Sequence, residues 1–197
     1  MLHRLGRALC YYHVPKTGGR AFLVNNSRRA IWHRYVPVHH PKLKILVHLR
    51  CPVDRFLSAY YYTNNEVSCK RAKRRFKHLK KKEVLKETPL KTLEYFINNN
   101  IDVDELNNGE GLIYFSTQHK WHENLIPENV IYKSFQELKS SSKTRKKFTS
   151  KRPLLEEEPE LEKIIEKVKI VYNKDYEYFK SIPQAADVAE EWLQKYS

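Results

Sequence analysis

Residues 43–61 read LKILVHLRCPVDRFLSAYY, and no other stretch constrains the fold as much. Branched apolar residues fill 43–49, the composition of a buried strand. Pro52 suits the first turn of a helix, and Val53, Phe56, Leu57, Tyr60 and Tyr61 then recur at i, i+3, i+4, i+7 and i+8, one apolar face. A strand that passes directly into an amphipathic helix is the building unit of α/β sheets. The pattern also occurs earlier: ALCYYHV (8–14) is a short apolar run stopped by Pro15, and RAFLVNNSRRAIW (20–32) has helical character after Gly18 and Gly19. NVIYKSF (129–135) reads as a further strand and PLKTLEYFINN (89–99) as a further helix.

The segment 156–179 reads as a helix, glutamate-rich at its start and lysine-bearing later, which complements the helix dipole. Its inner stripe is Leu161, Ile164, Ile165, Val168, Tyr172 and Phe179. Alternating strands and helices predict an α/β chain with a central parallel sheet flanked by helices. With no internal repeat and no firm boundary, residues 1–197 read as a single domain.

Charge narrows the function. Lys and Arg number 37 against 23 Asp and Glu, a formal net charge of +14. Such a field attracts polyanions: nucleic acid, an anionic membrane, or acidic small molecules and sugars. The run 69–86 alone holds ten Lys or Arg and one Glu. It reads first as a solvated helix face, and otherwise as an acceptor-side surface for an anionic glycan or as a nucleic-acid or membrane contact. Cys10, Cys51 and Cys69 show no CxxC spacing, which suggests neither a zinc site nor a disulfide framework and fits a reducing compartment. No apolar window of membrane-spanning length occurs. MLHRLGRALCYY lacks the uninterrupted apolar core of a signal peptide, so the sequence reads as cytosolic; a chain trimmed of a membrane anchor would look the same and leaves the Golgi lumen open.

HVPKTGG (13–19) is the first candidate site. At a strand end before a helix, the glycines let the backbone approach a ligand closely, and free N–H groups at the helix start point at it. Lys16 adds a charge and Thr17 a hydroxyl donor, together a cradle for phosphate or sulfate. The order of residues fails the GxxxxGK[ST] pattern, which counts against a nucleotide kinase or NTPase. The second candidate lies at 50–58, where Arg50 ends one strand and Ser58 follows eight residues later on the next helix. Two such junctions side by side on a parallel sheet can hold a ligand with two separated phosphate groups.

HVPKTGG resembles the 5′-phosphosulfate loop of sulfotransferases that use 3′-phosphoadenosine 5′-phosphosulfate (PAPS). LRCPVDRFLSAYY is similar to their 3′-phosphate motif, and the closest likeness is to Golgi-type carbohydrate sulfotransferases, the 2-O-sulfotransferase group included. NVIYKSFQEL and KIVYNKDYEYF resemble later segments of that family, so matched pieces are scattered over 8–180. The resemblance implies a P-loop NTPase-like three-layer fold, PAPS as co-substrate and 3′-phosphoadenosine 5′-phosphate (PAP) as product. It further implies that Lys16, Thr17, Gly18 and Gly19 bind the 5′ end and that Arg50 and Ser58 hold the 3′-phosphate. Arg20 stands where Thr or Ser is common and can replace that ligand. Ser150, Lys151 and Arg152 are candidates for a late loop over the cofactor; the alternative for them is a solvated linker. Cys51 departs from the usual acidic or Asn residue, and the interval from Lys16 to Arg50 is short for the Golgi enzymes.

Sulfuryl transfer is in-line displacement by an acceptor hydroxyl or amine, and negative charge develops on the oxygen that leaves with the nucleotide. A lysine beside that oxygen stabilises it, the role expected of Lys16. The acceptor hydroxyl needs a base, and histidine suits proton removal near neutral pH. In the resembling carbohydrate enzymes the base comes from the interval between the two phosphate motifs, often a histidine and sometimes a glutamate; no Asp or Glu lies between Lys16 and Arg50, which favours histidine and makes His39 and His40 the candidates, with His33 weaker. His48 reads as a core residue of its strand, and His13 as structural. The chemistry needs no metal; His119 and His122, at i and i+3, lack a third ligand by pattern. The expected acceptor bears a hydroxyl, most simply on a carbohydrate, neutral or anionic; tyrosyl peptide, lipid and small phenol stay open. The rival class, a basic nucleic-acid-binding protein, has the charge but none of the zinc, RRM or KH signatures.

Overall fold

The computed structural model describes residues 2–4, 9–17, 44–68, 84–106, 112–137 and 153–196. The chain divides into two compact units: Met1–Cys51 with Gln118–Thr149 and Lys174–Ser197, and Pro52–Thr117 with Ser150–Asn173.

The first unit holds the sheet. Its strands are β1 (Leu2–Arg4), β2 (Leu9–Tyr12), β3 (Lys44–Leu49) and β4 (Val130–Ser134), in the order β1-β2-β3-β4. β1 runs antiparallel to β2, whereas β2, β3 and β4 are mutually parallel, with Tyr12 opposite Val47 and Val47 opposite Tyr132. β3 is flanked on both sides, and Ile45, Val47, His48 and Leu49 are all buried, as a near-continuous apolar strand requires. β4 alternates instead: Val130 and Tyr132 are buried while Ile131 and Lys133 are exposed. The unit also contains α3 (Gln118–His122), α5 (Asn173–Ser181, counted from Lys174) and α6 (Pro183–Tyr196). α6 packs on β3 and β4 through Ala185, Ala189, Leu193 and Tyr196, an i, i+4, i+8, i+11 stripe. Its Trp192 meets Phe179 edge-on at 5.6 Å.

The second unit is helical. It contains α1 (Pro52–Ser68), α2 (Pro89–Asn98) and α4 (Leu161–Val171). Pro52 and Pro89 each open a helix, where the missing N–H costs nothing, and the Thr88 side chain accepts the Lys91 N–H at 3.2 Å as the α2 cap. α4 packs on α1 and α2. Phe56 lies 6.0 Å from Phe115 and 6.2 Å from Tyr172. The Tyr172 hydroxyl donates to the Phe115 carbonyl at 2.8 Å, which satisfies the one polar atom of a buried ring. The α1 stripe read from the sequence is buried at Val53, Phe56, Leu57 and Tyr60.

The single helix expected over 156–179 is instead broken twice. Residues Leu155–Glu157 form a 3₁₀ turn, α4 begins at Leu161, and α5 begins after Tyr172 leaves helical geometry (φ −114°, ψ 25°). Pro159 is the first cause: the residue before a proline is pushed out of the α region, and Glu158 has φ −69°, ψ 121°. Glu160 then turns left-handed at φ 58°. The helix expected over 20–32 and most of the basic run 69–86 lie outside the described residues. No helix among the described residues is long and apolar enough to cross a membrane.

Candidate functional site at the strand ends

The candidate site occupies the carboxyl ends of β2, β3 and β4 in the first unit. After β2 the chain turns through Val14, Pro15, Lys16 and Thr17. The Thr17 N–H reaches the Val14 carbonyl at 3.4 Å, Pro15 takes the second position, and Lys16 takes the third with φ 65°. That is the arrangement of a type II turn, whose third position favours glycine. A side chain there costs roughly 1–2 kcal/mol.

Two contacts hold the turn. The Thr17 hydroxyl donates to the Val14 carbonyl at 2.8 Å, with its side chain wholly buried. Its single proton is therefore directed at the backbone rather than outward. The second contact comes from β3. Arg50 Nη1 donates to the Lys16 carbonyl at 2.6 Å. Lys16 and Arg50, separate motifs in the sequence, thus meet at adjacent strand ends.

Arg50 is itself held from three directions. Its side chain is 7% exposed. Its guanidinium carbon lies 4.3 Å from the centre of the Phe135 ring, just past the end of β4. Its backbone is held by Gln118, the first residue of α3. The Arg50 N–H donates to Gln118 Oε1 at 3.1 Å, and Gln118 Nε2 donates to the Arg50 carbonyl at 2.7 Å. A buried cation needs such partners, because desolvation otherwise penalises the charge heavily. The guanidinium has five N–H donors, of which one goes to Lys16 in this contact.

Beneath the turn lies an aromatic layer. Tyr11 stacks on His13 at 6.2 Å and meets His48 edge-on at 5.5 Å. Burial pushes the Tyr11 phenol well above its ordinary range, with the Thr17 side chain opposing. Burial also pulls the His48 imidazole down to about 4; Glu137 opposes this and Lys133 adds to it. His48 is therefore a neutral core residue near pH 7, and His13 is buried in the same layer. His122 is buried against Tyr178 at 5.7 Å and Phe179 at 6.2 Å, while the His119 N–H donates to the Asp175 carboxylate at 2.8 Å. Among the described residues no group of three or more His, Cys, Asp or Glu is placed to hold a metal ion.

Of the residues read from sequence, the structure brings together Lys16, Thr17 and Arg50. Ser58 is buried on α1 of the second unit. Gly18, Gly19, Arg20, His33, His39, His40, Ser150, Lys151 and Arg152 lie outside the described residues. Gln118 and Phe135 were not read from sequence; Gln118 sits 68 positions from Arg50, and no local spacing links the two. Compared with known proteins, the chain has no significant match to any family model, to any curated protein or to any solved structure.

Proposed function

We propose that the chain is a PAPS-dependent sulfotransferase acting on a hydroxyl acceptor, most simply a carbohydrate, with a P-loop-type three-layer sheet as its frame. The supporting observation is the 2.6 Å contact from Arg50 Nη1 to the Lys16 carbonyl. The two cations assigned to opposite ends of one doubly anionic nucleotide stand at neighbouring parallel strand ends, where open α/β sheets bind ligands. The buried Arg50, a guanidinium with several N–H donors, fits an anion better than it fits an apolar ligand.

In this reading the loop at Lys16, Gly18 and Gly19 takes the 5′ end, Thr17 holds the turn through the Val14 carbonyl rather than meeting the ligand, and Arg50 takes the 3′-phosphate. Ser58 joins the 3′ site on the sequence motif alone, and Arg20, Ser150, Lys151 and Arg152 remain candidates on the same basis. Sulfuryl transfer supplies the chemistry: the acceptor oxygen bonds to sulfur as the bond to the nucleotide oxygen breaks. Lys16 stabilises the charge left on that oxygen, and His39 or His40 takes the acceptor proton.

Calorimetry with PAP, ATP and a DNA oligonucleotide tests the reading. Preferential binding of PAP supports it. Tight DNA binding without a response to PAP would favour a nucleic-acid-binding protein, and preference for ATP a kinase or NTPase. A labelled-sulfate transfer screen across glycan, peptide and phenol acceptors would then identify the acceptor class.

A further inference from the structure

The geometry points to Gln118 as a positioning residue for the anion site, acting through Arg50; this rests on the proposed nucleotide binding. Gln118 is wholly buried at the start of α3. Its amide makes both hydrogen bonds that a neighbouring strand would make to Arg50, accepting the N–H at 3.1 Å and donating to the carbonyl at 2.7 Å. Arg50 follows β3, whose last ladder pair with β4 is Leu49 with Ser134. Its backbone groups therefore lie past the described ladder, and Gln118 extends the pairing by one residue.

The consequence is geometric. A guanidinium hangs from its Cα by several rotatable bonds, so its placement depends on where the backbone is fixed. Gln118 fixes the Arg50 peptide groups, the Phe135 ring covers a face of the guanidinium at 4.3 Å, and the Lys16 carbonyl takes one donor at 2.6 Å. Backbone, planar face and one N–H are thus all assigned before any ligand arrives. Preorganisation of this kind raises affinity by cutting the ordering cost of binding. Gln118 touches no ligand in this account. It decides whether Arg50 meets the anion ready-placed.

The test is a double-mutant cycle on the full chain, with PAP as the titrant in calorimetry and thermal unfolding recorded for every variant. Gln118→Met keeps the side-chain length and removes both hydrogen bonds. It should weaken PAP binding about ten-fold, the order expected when two hydrogen bonds that hold a ligand-contacting group are lost. In Arg50→Ala the same substitution should cost nothing further, because the group it positions is gone. Gln118→Asn keeps the amide but withdraws it by one methylene, so its loss should be no larger than that of Gln118→Met; it serves as the variant should Gln118→Met fail to fold. Unchanged PAP affinity in both Gln118 variants overturns the positioning role and leaves the nucleotide reading standing. Equal fold-losses with and without Arg50 overturn it as well, since they mark a purely structural effect. If the wild-type chain does not bind PAP, the nucleotide reading falls, and this inference with it.

Discussion

Arg50 donates its Nη1 hydrogen to the carbonyl oxygen of Lys16 at 2.6 Å, so the cation after β3 fixes the backbone of the cation after β2. One residue thereby serves the geometry of both halves of the proposed nucleotide site. Removing Arg50 should disturb the 5′ loop as well as the 3′ site.

Arg50→Ala should lower PAP affinity at least about ten-fold, the scale of losing one charge-assisted hydrogen bond. Arg50→Lys should recover only part of it, because an ammonium lacks the planar fork that can stack on Phe135 while it donates to Lys16. Calorimetric titration reads both variants. Wild-type affinity in Arg50→Ala would remove Arg50 from the site.

Lys16 carries a charge and a left-handed backbone, and substitution separates the two. Lys16→Ala should retain much of its PAP binding and lose sulfate transfer; unchanged turnover would refute the assigned role. Lys16→Gly loses the same charge but relieves the φ of 65°, so it should be about 1 kcal/mol more stable than Lys16→Ala. Urea unfolding of the pair compares them directly. Equal stabilities would mean that the turn is not strained.

His48 should make stability depend on pH in a defined window. Its folded pKa is held at about 4 by burial, against an ordinary value of 6.5. Between those values the unfolded chain binds the proton and the folded chain does not. Stability is therefore full above pH 6.5 and falls as pH drops toward 4, by about 3 kcal/mol in total for a shift of this size. His48→Leu should flatten that part of the curve relative to wild type. An identical slope in the variant would show that other groups carry the dependence.

In the second unit the Tyr172 hydroxyl donates to the Phe115 carbonyl at 2.8 Å. Tyr172→Phe leaves that buried acceptor without its donor and should cost roughly 1–3 kcal/mol. Phe56→Ala, which empties the space between Phe115 and Tyr172, should cost roughly 3–5 kcal/mol. Denaturant midpoints measure both. A larger loss from Tyr172→Phe than from Phe56→Ala would reverse the proposed ranking of hydrogen bonding and packing.

The elements with strong periodic contrast were legible in the sequence. β3 was visible in LKILVHL as a near-continuous branched apolar run, and α1 in the stripe from Val53 to Tyr61, which buries one helix face. α6 was missed. Its inner positions Ala185 and Ala189 carry little hydrophobic contrast, although Pro183 at its first turn was a usable sign. β1 is three residues long, too short for a pattern, and pairs with β2. In 156–179 the periodicity was right and the continuity wrong: Pro159 holds Glu158 out of the helical region ahead of the stripe, and a second break at Tyr172 interrupts it. At the site, the charges of Lys16 and Arg50 were legible and their mutual contact was not. Nor was the Gln118 clamp, since a bond that closes across 68 positions leaves no trace in local spacing.

The interleaving of the two units has a bearing on synthesis. Residues 52–117 and 150–173, the whole of the helical unit, leave the ribosome before α6 does, although the sheet that α6 covers starts with β1 and β2. Chains tend to fold in the order in which units are completed. The helical unit can therefore consolidate first, while β3 and β4 still lack α6. A chain shortened before Pro183 would never supply the Ala185, Ala189, Leu193 and Tyr196 stripe that α6 lays on β3 and β4.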